Sequence, residues 1–246
     1  MKERIDVMMV ERGLARSREK AQALLMAGTV TVNGIREWKP GTKFATDVLI
    51  EVADDPIPYV GRGGLKLKAA FEAWNIDVTG LVCVDIGAST GGFTDVLLKE
   101  GALRVYSIDV GYGQLDFNLR NDPRVVNMER TNIRLLDIDA FPEKVDFIVI
   151  DVAFISLALV FPVAVQLLKT DCDSKSPGIV ALVKPQFEAG REQVGKGGIV
   201  RDAKVHEEVI ANVQKYASNC ELKTEAVIDS PVLGAKGNKE FLIWLK

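Results

Sequence analysis

Val82-Cys83-Val84-Asp85-Ile86 runs into Gly87-Ala88-Ser89-Thr90-Gly91-Gly92, and Phe93 to Lys99 then has the composition of a helix stopped by Gly101. A short apolar strand that empties into glycines at the head of a helix lets backbone approach a ligand closely and leaves helix N–H groups to bind it. Dehydrogenases and methyltransferases both use that arrangement. Two details favour S-adenosylmethionine here. The pattern is G-x-S-x-G-G in place of the dinucleotide G-x-G-x-x-G. Asp85 stands just before the loop, where a carboxylate would repel a pyrophosphate but attract the ammonium of a cationic methionine end. Asp109, at the end of the next apolar run, is placed to accept ribose hydroxyls.

Outward from this unit, Arg104–Asp109, Arg124–Asn127, Val145–Asp151 and Gly178–Lys184 read as further strands. Phe154–Lys169 and Ala203–Tyr216 read as helices, and Leu222–Ile228 with Phe241–Leu245 as a closing antiparallel pair. Apolar strands alternating with helices specify an α/β fold whose mostly parallel sheet is covered on both faces. Ligands in such sheets bind beyond the carboxyl ends of the strands, at the point where strand order reverses. Asp85, Asp109, Asp151 and Lys184 all fall at such ends. Lys184 is the anomaly, because it closes a fully apolar run. Its ammonium is either partly desolvated, which lowers its pKa, or paired with a carboxylate, which raises it, and Asp151 on the neighbouring strand is the obvious partner.

The first part of the chain is different. Between Met1 and Lys43, nine bases face five acids, a net +4, which leaves −7 on the remainder of a chain whose total is −3. A basic head on an acidic body points to a polyanionic partner. Arg4–Arg12 and the stretch after Ser17 read as two short helices, ended by Gly13 and Gly28. Thr29–Val32 alternates as a strand into the hairpin turn Asn33-Gly34. Arg16, Arg18 and Lys20 gather beside the N-cap Ser17 at the start of the second helix, where basic side chains and free N–H groups suit phosphate. The small α+β domain spans residues 1–53, and Asp54-Asp55-Pro56-Ile57-Pro58 opens a linker expected over 54–64. The second domain spans 65–246, its first helix running from Leu65 to Trp74.

Other classes are disfavoured. With 48% hydrophobic and 26% charged residues, the 246-residue chain sits near the globular average, so disorder and coiled coil are poor readings. Three scattered cysteines form neither a disulfide framework nor a zinc spacing, which makes a reducing cytoplasm the expected compartment. One histidine excludes a His-rich metal cage, and no metal is expected. Val152–Leu168 is uncharged but falls short of a spanning helix, so a buried helix beside the sheet is expected, without stable membrane insertion. Gly190–Lys196 fits G-x-x-x-x-G-K, yet Gly197 follows where a magnesium-binding Ser or Thr belongs. A flexible, basic flap near the active edge is the better reading.

Several of these words are familiar. Arg16-Ser17-Arg18-Glu19-Lys20-Ala21, Leu24, Gly28, Val30 and Val32-Asn33-Gly34 resemble the S-four RNA-binding module, which binds structured RNA through the basic end of its helix pair. The rest resembles the FtsJ-like ribose methyltransferases, whose Rossmann-like domain carries a Lys-Asp-Lys-Glu tetrad. The whole chain resembles the TlyA group, in which the first module precedes the second; its members bear the name hemolysin and also act as ribosomal RNA 2′-O-methyltransferases. The resemblance places the tetrad on Lys66, Asp151, Lys184 and Glu240, with Lys68 a rival for the first position. It places the cofactor S-adenosylmethionine against Asp85, Gly87, Ser89, Gly91, Gly92, Phe93 and Asp109, although Ser89-Thr90 replaces the usual Ala-Pro or Pro-Gly pair.

The implied chemistry is methyl transfer to a ribose 2′-hydroxyl of ribosomal RNA, free or in a ribosomal subunit. Lys184 accepts or polarises the hydroxyl proton, Asp151 holds Lys184, and Glu240 orients Lys66 or the hydroxyl. Arg62, Lys66 and Lys68 continue a phosphate track from the head. The competing expectations are an RNA-binding protein with an inactive methyltransferase fold, a membrane-acting cytolysin and, more weakly, an NAD oxidoreductase. Oligomeric state is left open.

Overall fold

The computed structural model describes residues 2–15, 17–26, 28–53, 58–169 and 178–246. Two compact units divide the chain, Met1–Pro58 and Tyr59–Lys246.

In the first unit, helices α1 (Ile5–Glu11) and α2 (Arg18–Met26) pack over short strands. Strand β1 (Lys2–Arg4) pairs with β4 (Lys43–Ala45), and β2 (Val30–Val32) lies between β3 (Ile35–Arg36) and β5 (Ile50–Val52). The core is small and wholly apolar, built on Ile5, Met9, Leu25 and Val30. Ser17 Oγ accepts from the Lys20 amide at 3.2 Å, which is the helix cap its position implies. The hairpin turn forms at Asn33 and Gly34 with φ of +50° and +78°. Strands β1, β4 and β5 differ from the sequence reading, which placed only Thr29–Val32 and its hairpin return in strands.

A buried charge organises this unit. Asp6 has no exposed surface and accepts from Arg4 Nε at 2.9 Å, Arg4 Nη2 at 2.8 Å, Arg18 Nη2 at 3.2 Å and Gln22 Nε2 at 3.0 Å. The Arg4 hydrogen bonds hold its carboxyl well below the usual carboxylate range.

The second unit is a sheet of order β11-β12-β10-β9-β6-β7-β8 between two helical layers. Its strands are β6 (Val82–Ile86), β7 (Arg104–Ile108), β8 (Val125–Met128), β9 (Phe147–Ile150), β10 (Gly178–Val183), β11 (Thr224–Asp229) and β12 (Phe241–Leu245). All neighbours are parallel except β12, which runs antiparallel to both β10 and β11. Every residue of β6, β9 and β10 is buried, as expected when both faces are covered. Helices α3 (Gly63–Trp74), α4 (Gly92–Lys99) and α5 (Phe117–Arg120) bury Leu67, Phe71, Val96, Leu97 and Leu119 on one face. Helices α6 (Phe161–Leu167) and α8 (Ala203–Ser218) bury Phe161, Ala164, Val209 and Val213 on the other. The four-residue α7 (Pro185–Glu188) follows β10 directly. The chain steps outward from β6 to β8 and returns to β9, so strand order reverses between β6 and β9.

Two expectations are corrected. The helix over Phe154–Lys169 is a loop, a 3-10 turn at Leu157–Leu159 capped by Ser156, and only then α6, with Pro162 in its first turn. Proline is tolerated only at a helix start, and the preceding residues are drawn into a cavity described below. Helix α3 begins at Gly63, so the end of the expected linker belongs to the second unit.

Because the Asp6 pKa is depressed on folding, its pairing stabilises the first unit above the unfolded carboxylate range, around pH 4, and is lost as pH falls. Amide exchange in α1 and α2 should therefore speed up as pH drops from about 5 to 3, after correction for the intrinsic rate, and Asp6→Asn should flatten that dependence. Equal acid sensitivity in the two proteins would remove Asp6 from this role.

Candidate active site

The glycine loop after β6 is shaped by close approaches. Gly87 has φ +88°, and a Cβ there would lie 2.5 Å from the Asp151 carbonyl oxygen. Gly91 has φ +95°, and a Cβ there would strike the Leu115 and Leu119 side chains. Ser89 adopts the left-handed region at φ +49°, held by its amide donating to Asp109 Oδ2 at 2.8 Å. Asp109 Oδ1 accepts from Gly111 N at 2.6 Å, so one carboxylate pins the loop to the end of β7.

The loop forms one wall of a cavity of about 650 Å³ at the carboxyl edge of the sheet, where strand order reverses. That volume is in the range of small-molecule and cofactor sites. Gly87, Ser89, Gly92, Phe93, Asp109, Arg62, Lys66, Asp151 and Lys184 line it. Phe93 is mostly buried and contributes as much to the core as to the wall. Gly91 sets the turn from behind.

Two ion pairs stand at this edge. Lys184 Nζ lies 2.6 Å from Asp151 Oδ1, with side chains 14% and 21% exposed. The neighbouring strand's carboxylate is thus the partner of the Lys184 ammonium. Lys66 Nζ, on α3, donates to Glu240 Oε2 at 2.6 Å, and that pair is buried more deeply, at 11% and 2%. Glu240 is absent from the wall but lies behind Gly234, which is part of it and where any Cβ would collide with the Glu240 carboxylate. Charges withdrawn from water this far are stable only while paired; removal of one partner strands the other.

Other expected residues lie differently. Lys68 does not line the cavity; its Nζ donates to Glu100 Oε1 at 2.7 Å. Asp85 is also corrected. It has no exposed surface and does not line the cavity; its Oδ2 accepts from Thr94 N at 2.8 Å and Thr94 Oγ1 at 2.7 Å, bracing the first turn of α4. Burial pushes its carboxyl up to about 7, against the Thr94 hydrogen bonds and with added repulsion from Asp151. Residues 190–199 do not line the cavity either; their turn is closed by a Gly195–Ile199 bridge and tied down by Asn238, which accepts from Val200 N and donates to Gly198 O. In the first unit Ser17 caps α2, Arg18 leans on Asp6 with half its side chain exposed, and Lys20 follows in the same turn. Arg16 lies outside the described residues.

The sequence did not single out Phe154. It lines the cavity, is 90% exposed and has φ +63°, an unusual conformation for a bulky side chain. Its ring packs 5.0 Å from that of Phe187 on α7. Only an aromatic in an uncharged run signalled it beforehand.

Residues 59–246 match the FtsJ-like methyltransferase family and residues 3–46 match the S4 domain. The chain therefore belongs to the FtsJ-like methyltransferase family, in the arrangement in which an S4 domain comes first. The 16S/23S rRNA (cytidine-2'-O)-methyltransferase TlyA of Mycobacterium tuberculosis is 47% identical over 244 residues, which cover 99% of this chain and 89% of that protein. Hemolysin A of Brachyspira hyodysenteriae is 41% identical over 240 residues, covering 97% and 98%. A solved structure from Streptococcus thermophilus that carries a hemolysin designation superposes with a TM-score of 0.75 at 44% identity, covering 99% of this chain and 88% of the other.

Asp85 yields a test of the site's electrostatics. Its pKa is raised on folding, so the folded chain binds more protons than the unfolded one between about pH 4 and 7, and stability falls as pH rises through that window. Asp85→Asn keeps an acceptor for Thr94 and removes the charge. Thermal melts without ligand should show the variant gaining on the wild type from about pH 4.5 to 7.5, and a constant difference across that range would refute the buried-charge account.

Proposed function

We propose that this protein transfers the methyl group of S-adenosylmethionine to a ribose 2′-hydroxyl of ribosomal RNA, which the S4 domain helps to dock. The observation that carries the reading is the pair of lysine–carboxylate contacts, Lys184–Asp151 and Lys66–Glu240, at one cavity walled by the glycine loop. The cradle fits the cofactor: the glycine loop walls the cavity, Asp109 reaches it as an acceptor, and the volume suits a molecule of that size. When bound, the cofactor supplies an electrophilic methyl on a sulfonium, whose loss leaves a neutral thioether.

The chain's own residues do the rest. A ribose hydroxyl is a weak nucleophile until its proton is shared. Lys184 can pass one ammonium proton to the Asp151 carboxylate across their contact, and the amine nitrogen so freed takes the 2′-hydroxyl proton as the new carbon–oxygen bond forms. Lys66, fixed by Glu240, is a second immobile cation that steadies the charge developing on oxygen. Most of the rate comes from holding nucleophile and methyl in line. Phe154, exposed at the rim, offers a ring face to the target nucleotide. Arg4 and Arg18, set by Asp6, with Lys20 and Ser17 beside them, contact phosphates of the folded RNA, and Arg62 contacts the strand that enters the cavity. The 47% identity to a protein named for cytidine 2′-O-methylation supports this substrate class.

Lys184→Ala should slow methylation of unmodified ribosomal subunits by about 10²- to 10⁴-fold, with S-adenosylmethionine affinity by calorimetry changed only a few-fold. A wild-type rate in that variant would remove Lys184 from the mechanism. RNA carrying a 2′-deoxy sugar at the mapped target should accept no methyl. Arg18→Ala should weaken RNA binding and lower the slope of log affinity against log salt by about one ion; an unchanged slope would place the docking surface elsewhere.

A further inference from the structure

The turns that follow two of the strand ends at the cavity are tied to each other. Helix α7 starts at Pro185, immediately after Lys184, and ends at Glu188. The Glu188 carboxylate crosses from there to the segment after Asp151. Its Oε2 accepts from Ser156 Oγ at 2.6 Å and its Oε1 from Leu157 N at 2.8 Å. Both oxygens are thus engaged by donors from one short stretch, as charge-assisted hydrogen bonds that fix separation and direction. The Phe154–Phe187 ring contact runs between the same two segments. The bridged stretch supplies Val152, Ala153, Phe154 and Ile155 to the cavity wall and contains the left-handed Phe154. Such a conformation persists only where its surroundings impose it. Burial holds the Glu188 carboxyl above its ordinary range, while its two donors oppose that shift.

We propose that Glu188 is a positioning residue for methyl transfer: by joining the turn after Lys184 to the turn after Asp151, it sets how those two side chains meet and holds Phe154 outward at the rim. This rests on the methyltransferase reading above. Glu188 touches neither the cavity nor the reacting atoms, so its effect passes through its neighbours. Small displacements of reacting groups are expensive in rate, whereas the glycine loop has its own anchor in the Asp109 carboxylate, which accepts from Ser89 N and Gly111 N.

The test uses the full chain, unmethylated ribosomal subunits and S-adenosylmethionine, with single-turnover rates and cofactor affinity measured for each protein. Glu188→Ala should lose about tenfold in rate while cofactor affinity stays within about twofold. Glu188→Gln should recover most of the rate, because its amide oxygen accepts from Leu157 N and its amide nitrogen donates to Ser156 Oγ. Ser156→Ala should cost a few-fold alone and less in the Glu188→Ala background, where only its cap on Ala158 N is left to lose. If Glu188→Ala does not fold, Ser156→Ala carries the same comparison of rate against affinity. A wild-type rate in Glu188→Ala, a Gln variant no better than Ala, or a parallel fall of rate and cofactor affinity would each overturn the inference. An active wild type with an indifferent Glu188→Ala overturns it alone; a wild type that methylates neither subunit overturns the proposed function and this inference with it.

Discussion

An ammonium and a carboxylate 2.6 Å apart at the ends of β9 and β10 can leave water only together. Much of the second unit follows from keeping Lys184 and Asp151 in that relation. The two strands must be adjacent and parallel so that their carboxyl ends coincide, and the ladder from Gly178–Phe147 to Ala181–Ile150 provides this. Both strands must be covered, because water entering along either face would compete with the pair, and α3 and α4 on one side with α6 and α8 on the other cover them. The segments beyond the strand ends must then turn sharply and stay where they are. Pro185 begins one turn and Ser156 caps the other.

The first unit solves a related problem with the opposite exposure. Asp6 is buried, but its arginine partners keep about half of their surface in solvent. A carboxylate with two guanidinium groups leaves one positive charge in excess, directed outward from an apolar core too small to hold it alone. The same ion-pair chemistry that holds Lys184 against Asp151 at the cavity presents a basic surface here.

How much of this was legible depended on how local the signal was. The loop from Asp85 to Phe93 and the strands around it were readable because a single run of residues carries both the hydrophobic pattern and the glycines. The orientation of Asp85 was not, since β6 is buried on both faces and alternation says nothing about which way a side chain points. Lys66 and Lys68 could not be separated by composition; two residues apart on a helix they face different ways, and only packing shows which one meets Glu240. The misread helix at Phe154 has the same origin. Nothing in an uncharged stretch announces a left-handed residue, and the carboxylate that steadies that stretch comes from Glu188, 32 positions from Ser156. In the first unit the hairpin strand β2 was readable because its turn is local, whereas β1, β4 and β5 pair with distant segments, as Lys2 with Ala45.

Strand β12 enters the sheet between β10 and β11 against the direction of the parallel strands, which brings Glu240, just ahead of it, to the carboxyl edge where the others end. Its partner Lys66 belongs to the helix that opens the unit, 174 residues earlier. Closing the sheet and completing the second ion pair are therefore a single event. Any change that loosens β12 from the sheet also leaves the buried Lys66 ammonium without its counterion.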